Sequence, residues 1–209
     1  MTSEAIVSTD QLIEQLISGE RFFDTDSDAH LAGGAVRDSL FGKPVSDYDL
    51  FLNFPIGIAK DEMLLYLFRY SSEVRVATMT KPWTPERSKE GIRLIKTSKE
   101  YYKESDFLAY RSEDGRLNVI LCRTDVDIQQ KIRSFPVSLS QIGICLSEHG
   151  HGEIVVGDGF KWSMEHRQAL YHTKDEYVKK IMGKYGDWEW VQVAPYDMRM
   201  GGLHFSTVI

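Results

Sequence analysis

Apolar residues recur along the chain with two different periods, and each period predicts a different kind of element. Helical spacing, with apolar positions three or four residues apart, covers residues 9–18, 58–70, 125–133, 160–170 and 175–185. Alternating or continuous apolar runs of strand length cover 73–78, 92–96, 107–110, 117–122, 137–146 and 153–156. The chain is therefore predicted to interleave helices and strands over most of its length, becoming mainly helical after residue 157.

The most informative stretch, residues 30–53, places a glycine turn, a short helix and a strand in succession. Gly33 and Gly34 allow close approach of the backbone and leave amide N–H groups unobstructed. Residues 35–40 can form the first helical turns behind them. Asp47 and Asp49 then fall on one face of a strand, because strand side chains alternate between faces. Neighbouring carboxylates repel each other, and a divalent cation such as Mg²⁺ or Mn²⁺ relieves that repulsion.

Arg37 adds to this stretch a forked cation suited to phosphate oxygens. With the amides of Gly33 and Gly34 it predicts a cradle for the phosphates of a nucleotide. An anion cradle followed by a carboxylate pair indicates phosphoryl or nucleotidyl transfer, with Asp47 and Asp49 as metal-binding catalytic residues. The alternative is a surface turn followed by two solvated aspartates.

The same stretch resembles a known signature. The run GGAVRD, followed by Leu40, Gly42, Pro44 and an Asp-x-Asp pair, is similar to the tRNA nucleotidyltransferase and bacterial poly(A) polymerase branch of the DNA polymerase beta superfamily. The resemblance implies an α+β fold: a polymerase-beta-like mixed sheet flanked by helices, with a short C-terminal helical appendage. Residues 1–157 would form the catalytic domain, and 158–209 a helical segment and tail packed on it. The resemblance also implies an NTP substrate.

Three further positions follow from the resemblance, each differing from the family pattern. Where the family presents a third acidic residue, the strand at 117–123 offers Asn118, whose carbonyl can ligate a metal but is a poor base. The family's paired arginines are reduced to Arg133. The helix that reads the base carries Lys179 in place of arginine, and lysine cannot form a bidentate fork. A solvated helix face explains Lys179 nearly as well.

Composition indicates the class of protein and the cellular compartment in which this chemistry would take place. Apolar residues make up 42% of the 209 positions, which is typical of a globular protein with a sizeable core. No apolar run is long enough to span a membrane, and the N-terminal residues lack the pattern of a signal peptide. Cys122 and Cys145 lie in apolar runs and are predicted to be core thiols in a reducing compartment. We therefore expect a cytoplasmic protein.

The charge of the chain does not identify the molecule that would accept the transferred nucleotide. The net charge is −6, whereas RNA-binding proteins usually present a basic face. Residues 79–103 nevertheless combine seven Lys or Arg with Trp83, Tyr101 and Tyr102, a composition suited to unpaired bases. Three hypotheses remain: transfer to an RNA 3′ end such as that of tRNA, transfer to a protein or small-molecule hydroxyl, and a non-catalytic nucleotide-binding module. The oligomeric state is not predicted.

Overall fold

The computed structural model describes residues 29–54, 74–76, 92–96, 107–112, 114–123, 125–146, 153–195 and 198. The helices predicted at 9–18 and 58–70 lie outside these residues. So does most of the basic and aromatic stretch at 79–103. No helix in the described ranges is long and apolar enough to cross a membrane.

The elements alternate irregularly along the chain. The strands are β1 (Ala29–Ala32), β2 (Tyr48–Phe54), β3 (Val74–Val76), β4 (Ile92–Lys96), β5 (Phe107–Ser112), β6 (Leu117–Arg123), β7 (Ile142–Cys145), β8 (Glu153–Val156), β9 (Gln168–Tyr171) and β10 (Glu189–Gln192). The helices are α1 (Gly34–Leu40), α2 (Ile128–Arg133), α3 (Asp158–His166) and α4 (Glu176–Lys184), and Ser138–Ser140 forms a 3-10 helix.

Two compact units are formed, and each combines segments that are distant in sequence. Unit 1 comprises residues 1–31, 46–126 and 145–153, and unit 2 comprises residues 32–45, 127–144 and 154–209. The glycine turn and the C-terminal helices therefore belong to the same unit, while the Asp-x-Asp strand belongs to the other. The domain boundary predicted at 157/158 stays a prediction.

Unit 1 is built on a mixed sheet whose neighbouring strands follow the order β3-β4-β5-β6-β2-β1. β2 pairs with β6 in parallel, whereas β5 is antiparallel to both β4 and β6. This confirms the predicted α+β class with a mixed sheet. Gly115, with φ +71°, lies in the turn between β5 and β6, and its N–H donates to Ser112 O at 2.9 Å.

The centre of this sheet is buried on both faces. In β2, Leu50, Phe51 and Leu52 are all buried, and so are residues 117–122 of β6. A central parallel strand covered on both sides is expected to be continuously apolar. Polar side chains in such strands are therefore exceptions, and Asp49 and Asn118 are two of them.

Unit 2 packs helices against short strands. Its core cluster consists of Val137, Leu139, Ala169, Val178, Ile181, Tyr185 and Trp188. β9 and β10 form a separate parallel pair. The C-terminal segment is thus a mixture of helix and strand, anchored by the buried Trp188.

Two predicted elements of unit 2 differ from the structure. Residues 137–146, predicted as one strand, divide into the 3-10 helix and β7, because the Ser138 hydroxyl accepts a hydrogen bond from Leu170 N at 2.8 Å and lies 2.7 Å from Ser163 Oγ. The helix predicted at 160–170 ends at His166. Arg167 adopts a left-handed conformation, φ 58°, and its guanidinium lies over the Trp188 ring at 4.3 Å.

Candidate functional site

Asp49 and Asn118 meet across the pairing of β2 with β6. The parallel register places their Cα atoms opposite each other, and Asn118 Nδ2 donates a hydrogen bond to Asp49 Oδ1 at 2.9 Å. This contact fixes the orientation of the amide, because a flipped amide would turn its oxygen towards the carboxylate. Asn118 is only 1% exposed, and its Oδ1 has no hydrogen-bond partner within the described ranges.

The donor atoms of this strand pair suit a hard divalent cation. An unpaired buried carbonyl oxygen costs about 1–3 kcal/mol, and a bound cation would provide the missing partner. Asp47 lies directly before β2, is half-buried, and accepts a hydrogen bond from Ser46 Oγ at 2.9 Å. No group of three or more His, Cys, Asp or Glu side chains able to hold a metal occurs in the described ranges. Two carboxylates and the Asn118 oxygen are nevertheless oxygen ligands of the kind that Mg²⁺ prefers, so these residues fit the ion.

The glycine turn of unit 2 is held in a backbone conformation that favours glycine. Gly33 has φ +69° and ψ −121°, and a Cβ added there would lie 3.4 Å from the Phe135 ring. Its N–H donates to Ile142 O at 2.8 Å, and its carbonyl accepts from Arg37 N at 3.0 Å. The Gly33 amide is therefore engaged within the unit. The first amide of α1, that of Gly34, begins the series of N–H groups that lack partners inside the helix.

Arg37 lies behind this turn with its guanidinium buried. The residue is 4% exposed; Nε and Nη2 contact Asp38 Oδ1 at 2.8 and 2.7 Å, and Nη1 donates to Ser140 Oγ at 2.9 Å. A Cβ on Gly34 would lie 3.6 Å from Nη2. Burial alone would lower the pKa of Arg37, but Tyr177 and Asp38 raise it above its ordinary value. Arg37 is thus a permanent cation packed against Gly34.

Asp38 is the acceptor at the centre of this cluster. It is 2% exposed and accepts hydrogen bonds from Arg37, from Lys184 Nζ and from Tyr185 Oη, the last at 2.7 Å. Burial opposes ionisation, but the hydrogen bonds from Lys184 and Tyr185 and the charge of Arg37 lower the pKa of Asp38 below its ordinary value. Asp38 is therefore an ionised carboxylate held by three side chains.

The remaining predicted site residues lie on helix surfaces. Arg133 is exposed at the end of α2, where Nη2 donates to Gln129 Oε1 at 3.3 Å. Lys179 is exposed on α4 and pairs with Glu176, whose hydrogen bond and charge raise the pKa of Lys179. These contacts give both residues a local role on their helices, and their roles towards a nucleotide stay predictions.

Four residues of the Arg37 and Asp38 cluster were not predicted from sequence: Ser140, Tyr177, Lys184 and Tyr185. Tyr185 stands at the end of the helical pattern predicted at 175–185, and no role is predicted for it. Its hydroxyl partner Asp38 is 147 residues away. No local pattern could have connected the two, because the only signal in the sequence was the apolar spacing around Tyr185.

Comparison with known proteins finds similarity in structure. No protein-family model matches the sequence, and no curated protein matches it. A CCA-adding enzyme in complex with ATP is similar with a TM-score of 0.52 at 13% identity, over 88% of this chain and 41% of that one. The Thermotoga maritima CCA-adding enzyme complexed with tRNA gives a TM-score of 0.51 at 13% identity, over 93% and 43%. The chain spans about two-fifths of the length of these proteins, and its α+β fold is similar to that of the part of them that it covers.

Proposed function

We propose that this protein is a metal-dependent nucleotidyltransferase that transfers a nucleoside monophosphate from an NTP to an acceptor hydroxyl, with an RNA 3′ end such as that of tRNA as the acceptor. The observation that supports this most is the contact of Asp49 with Asn118, whose buried carbonyl oxygen has no hydrogen-bond partner in the described ranges. A carboxylate and an amide oxygen together in a covered sheet suit a cation, and a cation suits phosphate chemistry.

In this proposal, Asp47, Asp49 and Asn118 hold Mg²⁺ or Mn²⁺. When bound, the ion neutralises charge on the phosphate oxygens and lowers the pKa of a coordinated hydroxyl. The hydrogen bond from Asn118 Nδ2 to Oδ1 keeps the Asp49 carboxylate in one orientation. Asn118 itself contributes a neutral oxygen and therefore does not act as a base.

The glycine turn and Arg37 are proposed to bind the triphosphate. Gly33 shapes the turn, and Gly34 lacks a side chain where the phosphates approach. Arg37 acts through its fixed positive charge next to Gly34, because three of its N–H groups already contact Asp38 and Ser140. Arg133 and Lys179, both exposed, are proposed as weaker contacts to the nucleotide.

The reaction forms a bond between the acceptor hydroxyl oxygen and the α-phosphorus. The bond from that phosphorus to the oxygen that bridges the α- and β-phosphorus atoms breaks, and pyrophosphate leaves with the electron pair of that bond. The proton of the acceptor hydroxyl passes to solvent water, and the product carries the nucleoside monophosphate as a phosphodiester. The NTP is the only co-substrate required.

The RNA acceptor is supported by the solved structures, one of which is a CCA-adding enzyme complexed with tRNA. A second acceptor class, a protein or small-molecule hydroxyl, is favoured by the net charge of −6. RNA phosphates are repelled by a negative protein unless a local basic surface compensates. The two acceptors require the same chemistry at the α-phosphorus. They are distinguished by identifying which molecule carries the label after the reaction.

The experiment uses the protein with Asp47 and Asp49 both changed to Ala, incubated with each α-phosphate-labelled NTP, Mg²⁺, bulk RNA and cell extract. The wild type is expected to place label in material that nuclease digests, and the double variant is expected to place none. The matched control changes Asp158 and Asp187, which form exposed ion pairs, to Ala. Undiminished transfer by the Asp47 and Asp49 variant contradicts the proposal, and label released by protease identifies a protein acceptor.

A further inference from the structure

A buried carboxylate connects the helix behind the glycine turn to the C-terminal helix. Asp38 of α1 accepts a hydrogen bond from Tyr185 Oη on Oδ1 at 2.7 Å and one from Lys184 Nζ on Oδ2. Lys184 is the last residue of α4, and Tyr185 follows it. We refer to Asp38, Lys184 and Tyr185 as the Asp38 clasp.

Reciprocal contacts reinforce this clasp. Lys184 Nζ also donates to Pro44 O at 2.7 Å, and Lys43 Nζ donates to Lys184 O at 2.8 Å. Lys43 Nζ and Arg37 Cζ lie 4.7 and 5.1 Å from the centre of the Tyr185 ring. Cations over an aromatic ring are attracted by its negative face. Contacts in both directions therefore join the end of α4 to the segment that follows α1.

The beginning of α4 reaches the same cluster through a different residue. Tyr177, in the first turn of α4, contacts Ser140 Oγ through its hydroxyl at 2.9 Å. Ser140 Oγ in turn accepts from Arg37 Nη1 at 2.9 Å. The two ends of α4 thus act on neighbouring residues of α1, Tyr177 on Arg37 through Ser140 and Lys184 on Asp38 directly.

The consequence concerns Gly34. The Arg37 guanidinium hydrogen-bonds to both Asp38 and Ser140. It also lies next to Gly34, within 3.6 Å of the position that a Cβ added to this glycine would occupy. The side chains that hold Asp38 in place therefore also hold the Arg37 guanidinium in place. The positive charge of Arg37 is thereby kept next to the glycine turn. A network in which every polar atom is satisfied is rigid, and losing one member loosens the others.

We propose that Asp38, Lys184 and Tyr185 are positioning residues for the Gly33–Gly34 turn, so that helix α4 takes part in binding the triphosphate of an NTP without touching it. This inference rests on the proposed function, because it assigns the clasp to the phosphate-binding part of that site. It gives the segment at 158–209 a role in substrate binding beyond packing.

The test compares Tyr185→Phe and Lys184→Met with the wild type. Tyr185→Phe keeps the ring beneath Arg37 and Lys43 and removes the hydroxyl that donates to Asp38. Lys184→Arg serves as the rescue variant, because it retains the charge. Lys180→Met, at an exposed lysine on the same helix, is the matched control. Dissociation constants for ATP with Mg²⁺ and for inorganic triphosphate are measured by calorimetry, well below the midpoint of thermal unfolding of each variant.

Tyr185→Phe and Lys184→Met are expected to weaken binding of both ligands by about tenfold, because small displacements of binding groups have large effects. The KM for the NTP rises to the same extent, while the KM for the acceptor is unchanged. Lys184→Arg and Lys180→Met bind like the wild type. If the two clasp variants lose thermal stability but bind ATP with unchanged affinity, the clasp is only structural and the inference fails. If the wild type binds neither ligand, the proposed function fails first.

Discussion

Asn118 donates a hydrogen bond to Asp49 across two paired parallel strands, 69 residues apart in sequence, with 2.9 Å between Nδ2 and Oδ1. The amide supplies a donor where a second carboxylate would supply only acceptors. The Asp49 carboxylate therefore has a donor at this position whether or not a cation is bound. The same amide directs its own oxygen into a buried position that has no hydrogen-bond partner among the residues the structure describes.

Replacing Asn118 with Asp makes this arrangement dependent on a divalent cation. Two carboxylates would then face each other at hydrogen-bond distance, and like charges destabilise each other unless a cation lies nearby. Asn118→Asp is expected to lower the free energy of unfolding by about 1–3 kcal/mol in EDTA, from the lost hydrogen bond to a charged group. Mg²⁺ or Mn²⁺ restores most of this loss, as measured by thermal unfolding with and without the ion.

The control for this prediction is Asn53→Asp on β2, the strand that carries Asp49. Asn53 Nδ2 donates to Val126 O at 3.0 Å, so this variant also loses an amide donor. Its loss of stability is expected to be the same in EDTA and in Mg²⁺. An equal response of both variants to the cation would contradict a metal site at Asp49 and Asn118.

Gly33→Ala tests the shape of the turn. The position has φ +69°, and an added Cβ would be in van der Waals contact with the Phe135 ring at 3.4 Å. We expect a loss of about 1–3 kcal/mol in the free energy of unfolding, since residues with a Cβ are strained in this region. Chemical denaturation of the purified variants measures it.

Two other glycines separate the contributions of strain and contact at Gly33. Gly42 has φ +63° with nothing within 4 Å of an added Cβ, so Gly42→Ala reports backbone strain alone. Gly183 lies within α4 with open space around it, and Gly183→Ala should stabilise the protein by about 0.5–1 kcal/mol. If Gly33→Ala is no more destabilising than Gly42→Ala, the Phe135 contact does not constrain the turn.

The lowered pKa of Asp38 predicts that the free energy of unfolding depends on pH in the acidic range. Its pKa is lower in the folded protein than in the unfolded chain, so the unfolded state binds the proton more readily. The contribution of Asp38 to stability is therefore complete above the unfolded pKa of about 4 and is lost as the pH falls through the folded pKa. Asp38→Asn is expected to be less stable than the wild type at pH 6, with the difference narrowing below pH 4. A difference that stays constant between pH 6 and pH 3 would show that the charge of Asp38 is not involved.

The local parts of the candidate site could be predicted from sequence. The glycine turn, the short helix at α1 and the strand after Asp47 depend on spacing within about twenty residues, which the pattern of residue types contains. The family resemblance predicts that Asn118 faces the pair of Asp47 and Asp49, and in the structure its Cα lies opposite that of Asp49. The α+β class with a mixed sheet is likewise confirmed.

The orientation of Arg37 could not be predicted in this way. An arginine after a glycine turn suits a phosphate, but here its partners are Asp38, its neighbour, and Ser140, 103 residues away. Likewise, residues 137–146 show the alternation of a strand, yet Ser138 uses its hydroxyl to accept from Leu170 N. In both cases a contact distant in sequence outweighs the local preference, since a buried polar group requires its partner wherever that partner lies.

The most direct test of the central proposal follows the fate of the two ends of the triphosphate. The protein is incubated with Mg²⁺, RNA and ATP or CTP labelled either at the α-phosphate or at the γ-phosphate, and label in the RNA is measured. Nucleotidyl transfer predicts that α-label enters the RNA, that γ-label leaves as pyrophosphate, and that Asp49→Asn abolishes the transfer. Transfer of γ-label, or of α-label at an equal rate by Asp49→Asn, would contradict it.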